Sequence, residues 1–140
     1  MKKILVLCTG NSCRSQIAHG FLNHYTSNDV EVFSAGIEAH GLNPKAIETL
    51  AEVGIDISKN TSNLVNEYIN ISFDFIITVC DNAKESCPVF PKGKAIRIHQ
   101  NFLDPSKNGQ EEKMKVDFRK IREEINTFCK NFISKNLAAI

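Results

Sequence analysis

A short apolar run, Ile4-Leu5-Val6-Leu7, passes directly into the polar stretch Cys8-Thr9-Gly10-Asn11-Ser12-Cys13-Arg14-Ser15, after which apolar residues recur with helical spacing. Such a chain places a tight loop between a buried strand and a helix, because neither period extends through the polar stretch. Backbone N–H groups at the start of that helix converge and suit a bound tetrahedral anion. Cys8 would lie under the anion, where the N–H dipoles, the positive helix end and Arg14 drive a thiol toward the attacking thiolate. Gly10 helps the chain turn tightly, Arg14 can grip two oxygens with its planar fork, and Ser15 is placed to donate a hydrogen bond to the sulfur. Thr9, Asn11, Ser12 and Cys13 complete the candidate anion-binding loop. The plainer alternative is a buried structural cysteine at a strand end, and a Cys and an Arg six positions apart are by themselves a weak signal. The surrounding strand and helix favour the anion loop.

Residues 3–8, 30–34, 73–80 and 95–99 read as strands, with helical patterns between most of them. In the first helix Ile17, Ala18, Phe21, Leu22 and Tyr25 share one face. The second opens with Asn43 as cap and Pro44 at the first helical position, turns Ala46, Ile47, Leu50 and Ala51 inward, and stops at Gly54. A shorter helix is expected from Asn63 to Ile69. The last is the longest, with Met114, Phe118, Ile121, Ile125, Phe128 and Phe132 at alternating steps of four and three. A coiled-coil seam would need more heptads than this, so the stripe is expected to pack on a sheet.

Strands alternating with helices predict an α/β fold of three layers, a four-stranded parallel sheet with helices on both faces and right-handed crossovers. The simplest strand order is 2-1-3-4. Ligands in such sheets bind beyond the carboxyl ends of the strands, where the winding reverses, here between strands 1 and 3. Strand 1 ends at Cys8 and strand 3 at Cys80, so the topology brings two distant cysteines to one crevice. Asp104 follows strand 4 and reaches the same rim. The only clearly polar, glycine-containing loop runs from Pro105 to Gln110.

With 42% apolar content and no linker-like stretch, residues 1–140 are expected to form a single domain. Basic and acidic side chains number 17 and 16 in no long block, so a net charge of +1 gives no reason to propose nucleic acid or a charged membrane as partner. Small anions and proteins remain. No apolar stretch has the length of a signal peptide or membrane span, which leads to the expectation of a cytoplasmic protein. Five cysteines in that setting read as reduced or catalytic rather than as a disulfide framework. Cys80 and Cys87, in Cys-Asp-Asn-Ala-Lys-Glu-Ser-Cys-Pro, are too far apart for a redox Cys-x-x-Cys pair and lack the partner ligands of a zinc site. A segment of this length either holds two thiols apart or loops out to join them, and the spacing leaves both open.

At this point the residues resemble a known family. The chain is similar to the thioredoxin-coupled arsenate reductases, which share their fold and anion loop with the low-molecular-weight protein tyrosine phosphatases. The resemblance covers nearly the whole chain and is carried by Cys8-Thr-Gly-Asn-Ser-Cys-Arg-Ser-Gln16, Ser34-Ala-Gly-Ile-Glu38, His40-Gly41 and Asn43-Pro-Lys-Ala-Ile47. It continues through Val53-Gly-Ile-Asp-Ile-Ser58, Thr61-Ser62, Cys80, Cys87 and Phe102-Leu-Asp104-Pro105. The loop and the Asp-Pro pair are common to the phosphatases, and the two later cysteines single out the reductases.

The resemblance implies a relay in which Cys8 attacks arsenate held by the loop and Arg14, with Asp104 as general acid. Cys80 then attacks Cys8, Cys87 attacks Cys80, and thioredoxin reduces the final disulfide. Ser15 would tune Cys8 and Asn11 would brace the loop, with Cys13 and Cys129 structural and His40 a substrate-side candidate. Some relatives hold potassium beside the loop with groups matching Asn11, Ser34 and Thr61 plus two acidic residues. Those acidic positions fall here on His19 and Asn63, so no metal or other cofactor is expected, and His19 reads as an exposed helix residue. A monomer is expected. Two rivals share the loop: a phosphatase, against which stand Ser106 and Lys107 in place of tyrosines after Asp-Pro, and a catalytically silent anion- or thioredoxin-binding module.

Overall fold

The computed structural model describes residues 1–90 and 94–137. In chain order the elements are β1 (Lys2–Cys8), α1 (Arg14–Tyr25), β2 (Val30–Gly36), α2 (Pro44–Ala51), β3 (Phe75–Thr78), α3 (Asp81–Ser86), β4 (Ile96–His99) and α4 (Glu111–Asn136). Short 3-10 turns occupy Val65–Tyr68 and Pro105–Lys107. The strands form one all-parallel sheet in the order β2-β1-β3-β4, as the alternation of strands and helices predicts. Cys8 pairs with Gly36, Leu7 with Thr78 and Thr78 with His99, so the carboxyl ends of all four strands finish along one edge.

Ile4, Leu5, Val6 and Leu7 are all fully buried, which is why β1 is a continuous apolar run and not an alternating one. Pleat alternation divides β3 between two layers. Phe75 packs edge-on against Phe132 of α4, with ring centroids 5.1 Å apart, on the face that carries α1 and α4. Ile76 and Thr78 point the other way, toward α3, and on that second face Phe33 packs edge-on against Tyr68 and Phe73. Asn43 caps α2 by accepting from Lys45 N at 2.8 Å, with Pro44 at the first helical position.

The structure departs from the sequence expectation in several places. β3 is shorter than 73–80, spanning Phe75–Thr78, although Asp74 N still donates to Lys3 O and Val79 N to Leu7 O just beyond its ends. The segment 63–69 forms a 3-10 turn, its start fixed by Leu64 N donating to Glu67 Oε2 at 2.7 Å. Tyr25 is partly exposed and its hydroxyl donates to Asn126 Oδ1 at 2.7 Å. In α4 the buried stripe is Phe118, Ile121, Ile125, Cys129 and Phe132, with Phe128 only partly buried. A straight helix of 3.6 residues per turn drifts against a strict seven-residue repeat, and that drift brings Cys129 into the stripe. The helix α3 has no counterpart among the elements that the sequence predicts, and Pro105–Lys107, within the expected polar loop, is a helical turn. Among the described residues no helix is long and apolar enough to cross a membrane.

Candidate active site

The loop after β1 is held open by its neighbours. Carbonyls of Cys8, Thr9, Gly10 and Ser12 accept from the N–H groups of Ile37, Glu38, His40 and Asn43 at 2.8–3.2 Å, so the segment after β2 fixes its outer side. Among the described residues no backbone N–H from Gly10 to Gln16 donates to a protein acceptor, and the first paired amide is that of Ile17, to Cys13. Those amides, at the start of the 12-residue α1, form the concave donor set that an oxyanion requires. A Cβ at Gly10 would meet the His40 ring, which would have to swing away from the loop.

Asn11 takes a left-handed φ of 49°, a conformation that Asn tolerates better than most residues. Its side chain accepts from Asn63 N at 2.8 Å and donates to Ser15 Oγ at 2.8 Å, and its carbonyl accepts from Gln16 Nε2 at 3.2 Å. Because Asn11 Nδ2 only donates, the Ser15 oxygen is an acceptor there and its O–H is free to point at Cys8 Sγ, 3.2 Å away. Gln16 reaches on to Thr61 O at 3.0 Å and accepts from Asn60, while Ser62 Oγ donates to Gly10 O. These bracing roles of Gln16, Asn60 and Ser62 had no separate signature in the sequence beyond the motifs that contain Gln16 and Ser62.

Cys8 and Cys80, both buried, border one cavity of about 740 Å³, which also meets Thr9, Gly10, Ser12, Cys13, Arg14, His40, Phe102 and Asp104. Thr9 Oγ1 lies 3.3 Å from Cys80 Sγ and accepts from Asn82 Nδ2 at 3.2 Å. Ala83 N donates to the same sulfur at 3.4 Å, so Cys80 caps α3. Arg14 donates to Phe102 O at 2.9 Å and its other amine stands 3.9 Å from Asp104 Oδ2. Burial pushes the Asp104 carboxyl up, but two hydrogen bonds from Ser106 and the charges of Arg14 and Lys107 outweigh it and leave it below its ordinary value. Cys87 stands at the far end of α3 and is not among the residues lining this cavity.

The other thiols are suppressed. Burial pushes Cys13 up to about 11 against the hydrogen bond from Ser12, and pushes Cys129, packed beneath α1, up as well. His19 is not the exposed residue that the sequence suggested. It turns toward β2, where Nδ1 lies 2.8 Å from Ser34 Oγ, and burial lowers its pKa to about 4. Thr61 Oγ1 donates to Asn63 Oδ1 at 2.7 Å. His40 Nε2 lies 2.7 Å from Glu38 Oε1 at the cavity rim.

The family model for low molecular weight phosphotyrosine protein phosphatase matches residues 3–139. The chain belongs to that family. Within the low molecular weight phosphatase family it is similar to a protein named arsenate reductase from Shouchella clausii, 48% identical over 94% of both chains. A solved arsenate reductase in the phosphate binding state superposes with a TM-score of 0.77 at 31% identity, covering 96% of this chain and 98% of the other. A thioredoxin-dependent arsenate reductase from Corynebacterium glutamicum gives a TM-score of 0.72 at 25% identity, over all of this chain and 64% of that one.

Proposed function

We propose that this phosphatase-family protein is a thioredoxin-dependent arsenate reductase that works through Cys8, Cys80 and Cys87. The observation that carries the reading is the convergence of Cys8 and Cys80 on one cavity, with Thr9 touching the Cys80 sulfur. A phosphatase needs the first of those thiols and has no use for the second. The similarity to proteins named arsenate reductase, one of them thioredoxin-dependent, supports it.

In the first step the Cys8 sulfur attacks arsenic, an arsenic–oxygen bond breaks, and Asp104 supplies the proton with which that oxygen leaves as water. Loop N–H groups and Arg14 stabilise the charge on the remaining oxygens. Asp104 is ionised at rest. A bound anion that occupies Arg14 removes part of the charge lowering its pKa and adds negative charge nearby, so proton uptake by Asp104 is coupled to substrate binding. Cys80 then attacks Cys8 Sγ; a disulfide forms, the arsenic–sulfur bond breaks with its electron pair retained by arsenic, and arsenite leaves. Cys87 attacks Cys80 in turn and frees Cys8. The six-residue helix α3 separates Cys80 from Cys87 by about 10 Å, seven residue steps along its axis and well beyond disulfide reach, so it unwinds in this step. Thioredoxin reduces the exposed Cys80–Cys87 pair.

We also propose that no potassium ion takes part. Ser34 and Thr61 already pair with His19 and Asn63, and the Glu67 carboxylate beside Asn63 is taken up by Asn63 Nδ2 and Leu64 N, which makes a poor donor set for a cation. The test of the main reading is arsenite production by purified protein with thioredoxin and thioredoxin reductase, run beside aryl phosphate hydrolysis. Sustained arsenite formation is expected. Phosphate ester hydrolysis without it would assign the site to the phosphatase chemistry of the family.

A further inference from the structure

The helix α3 serves its two cysteines unequally. Cys80 sits at the N-terminal end, where Ala83 N donates to its sulfur. Cys87 sits at the C-terminal end, where the negative end of the helix disfavours a thiolate, and its sulfur lies 3.6 Å from Pro88 O. Any charge on that sulfur needs a cation from another element. Arg97 of β4 supplies it, with Nη1 3.0 Å from Cys87 Sγ.

This contact is built into the fold. Arg97 pairs with Ile76 in the sheet, on the face that α3 covers. Phe90 lies beneath the guanidinium, its centroid 5.9 Å from Cζ, and Phe90 in turn packs edge-on against buried Phe73 at 5.8 Å. Beside Cys87 is a hollow of about 200 Å³ whose charged or titratable neighbours, among the described residues, are Lys84 from α3 with Arg97 and His99 from β4. His99 is engaged elsewhere, with Asp81 at 2.8 Å and Thr78 at 2.7 Å, and among the described residues Arg97 is the cation in contact with the sulfur.

We infer that Arg97 is a positioning residue for the last relay thiol: its guanidinium holds the Cys87 sulfur at the end of α3 and stabilises the negative charge with which that sulfur attacks. The inference rests on the relay reading for its purpose. In that step Cys87 gives its proton to solvent, its thiolate forms a bond to Cys80 Sγ, and the Cys8–Cys80 bond breaks with the electron pair leaving on Cys8. One disulfide is exchanged for another, and nothing is oxidised or reduced overall.

The test uses the fully reduced protein with neither arsenate nor thioredoxin present. Iodoacetamide labelling at Cys87 is followed by peptide mapping across neutral pH for the parent, Arg97→Met and Arg97→Lys. Labelling of Arg97→Met is expected to be about three- to tenfold slower near neutrality, with the deficit shrinking as pH rises and the thiolate forms unaided. Arg97→Lys should recover part of the rate and Cys8 labelling should not change. An unchanged Cys87 rate would overturn the inference, and so would a deficit of equal size at every pH, which marks altered access and not lost charge. A parent protein that makes no arsenite would overturn the relay reading while leaving the labelling result intact.

Discussion

Between Cys8 and Ser15 the backbone is fixed from several sides, by the amides after β2, by Asn63 and by Gln16, and its side chains are mostly buried. Between Cys80 and Phe90 the chain makes a six-residue helix in which only Ala83 is buried. The first arrangement suits anion chemistry, because donors must already point at the oxygens when charge develops and must not spend energy reorganising. The second suits transfer of oxidation, because a thiol at the end of a lightly buried helix can be carried to another by local unwinding. Cys80 belongs to the lightly buried segment by its helix and to the braced one by its contact with Thr9, and it borders the same cavity as Cys8.

Removing the last thiol separates the two regions most sharply. Cys87→Ser is expected to release one arsenite per protein and then stop, with its disulfide trapped at Cys8–Cys80, while the parent accumulates Cys80–Cys87 after a single turnover. Peptide mapping distinguishes the two products. Continued turnover by Cys87→Ser at the parent rate would show that the helix plays no part in the relay.

Asp104→Asn acts on the other region. It should leave anion binding in place and slow the first step by about 10²–10⁴-fold, the usual contribution of a general acid. The measurement is arsenate turnover with reductant in excess, and an unchanged rate would remove Asp104 from the chemistry.

Phosphate provides a milder contrast. At ten times its dissociation constant it should slow alkylation of Cys8 about tenfold by mass action and leave Cys87 nearly unaffected. Equal protection of both thiols would mean that the two regions are coupled even at rest.

A further contrast, read in stability and not in rate, concerns the wall behind the loop. His19 has a folded pKa of about 4 against an ordinary 6.5, so the unfolded chain takes the proton more readily. Stability is then full above the unfolded value, falls as pH drops toward the folded one and levels below it, by a total on the order of 3 kcal/mol. Denaturant unfolding at stepped pH should show that slope, and His19→Gln, which keeps a partner for Ser34, should flatten it.

Strand order, the position of the anion loop and the meeting of Cys8, Cys80 and Asp104 at one sheet edge were legible in the sequence. Each follows from the order of apolar periods and from the chirality of crossovers, which are properties of the chain read in one dimension. α3 was not legible, since Asp81-Asn-Ala-Lys-Glu-Ser86 is too short to display a period and turns a single alanine inward. An acid in its first turn and Lys84 in its last were the available signal. Nor could spacing say whether Cys80 and Cys87 stand together or apart; the helix between them holds them apart. His19 and Arg97 depended on tertiary structure entirely. Whether a polar side chain faces water, a serine on β2 or the sulfur at the end of a helix is fixed by what packs against it from distant parts of the chain, and no local pattern carries that information.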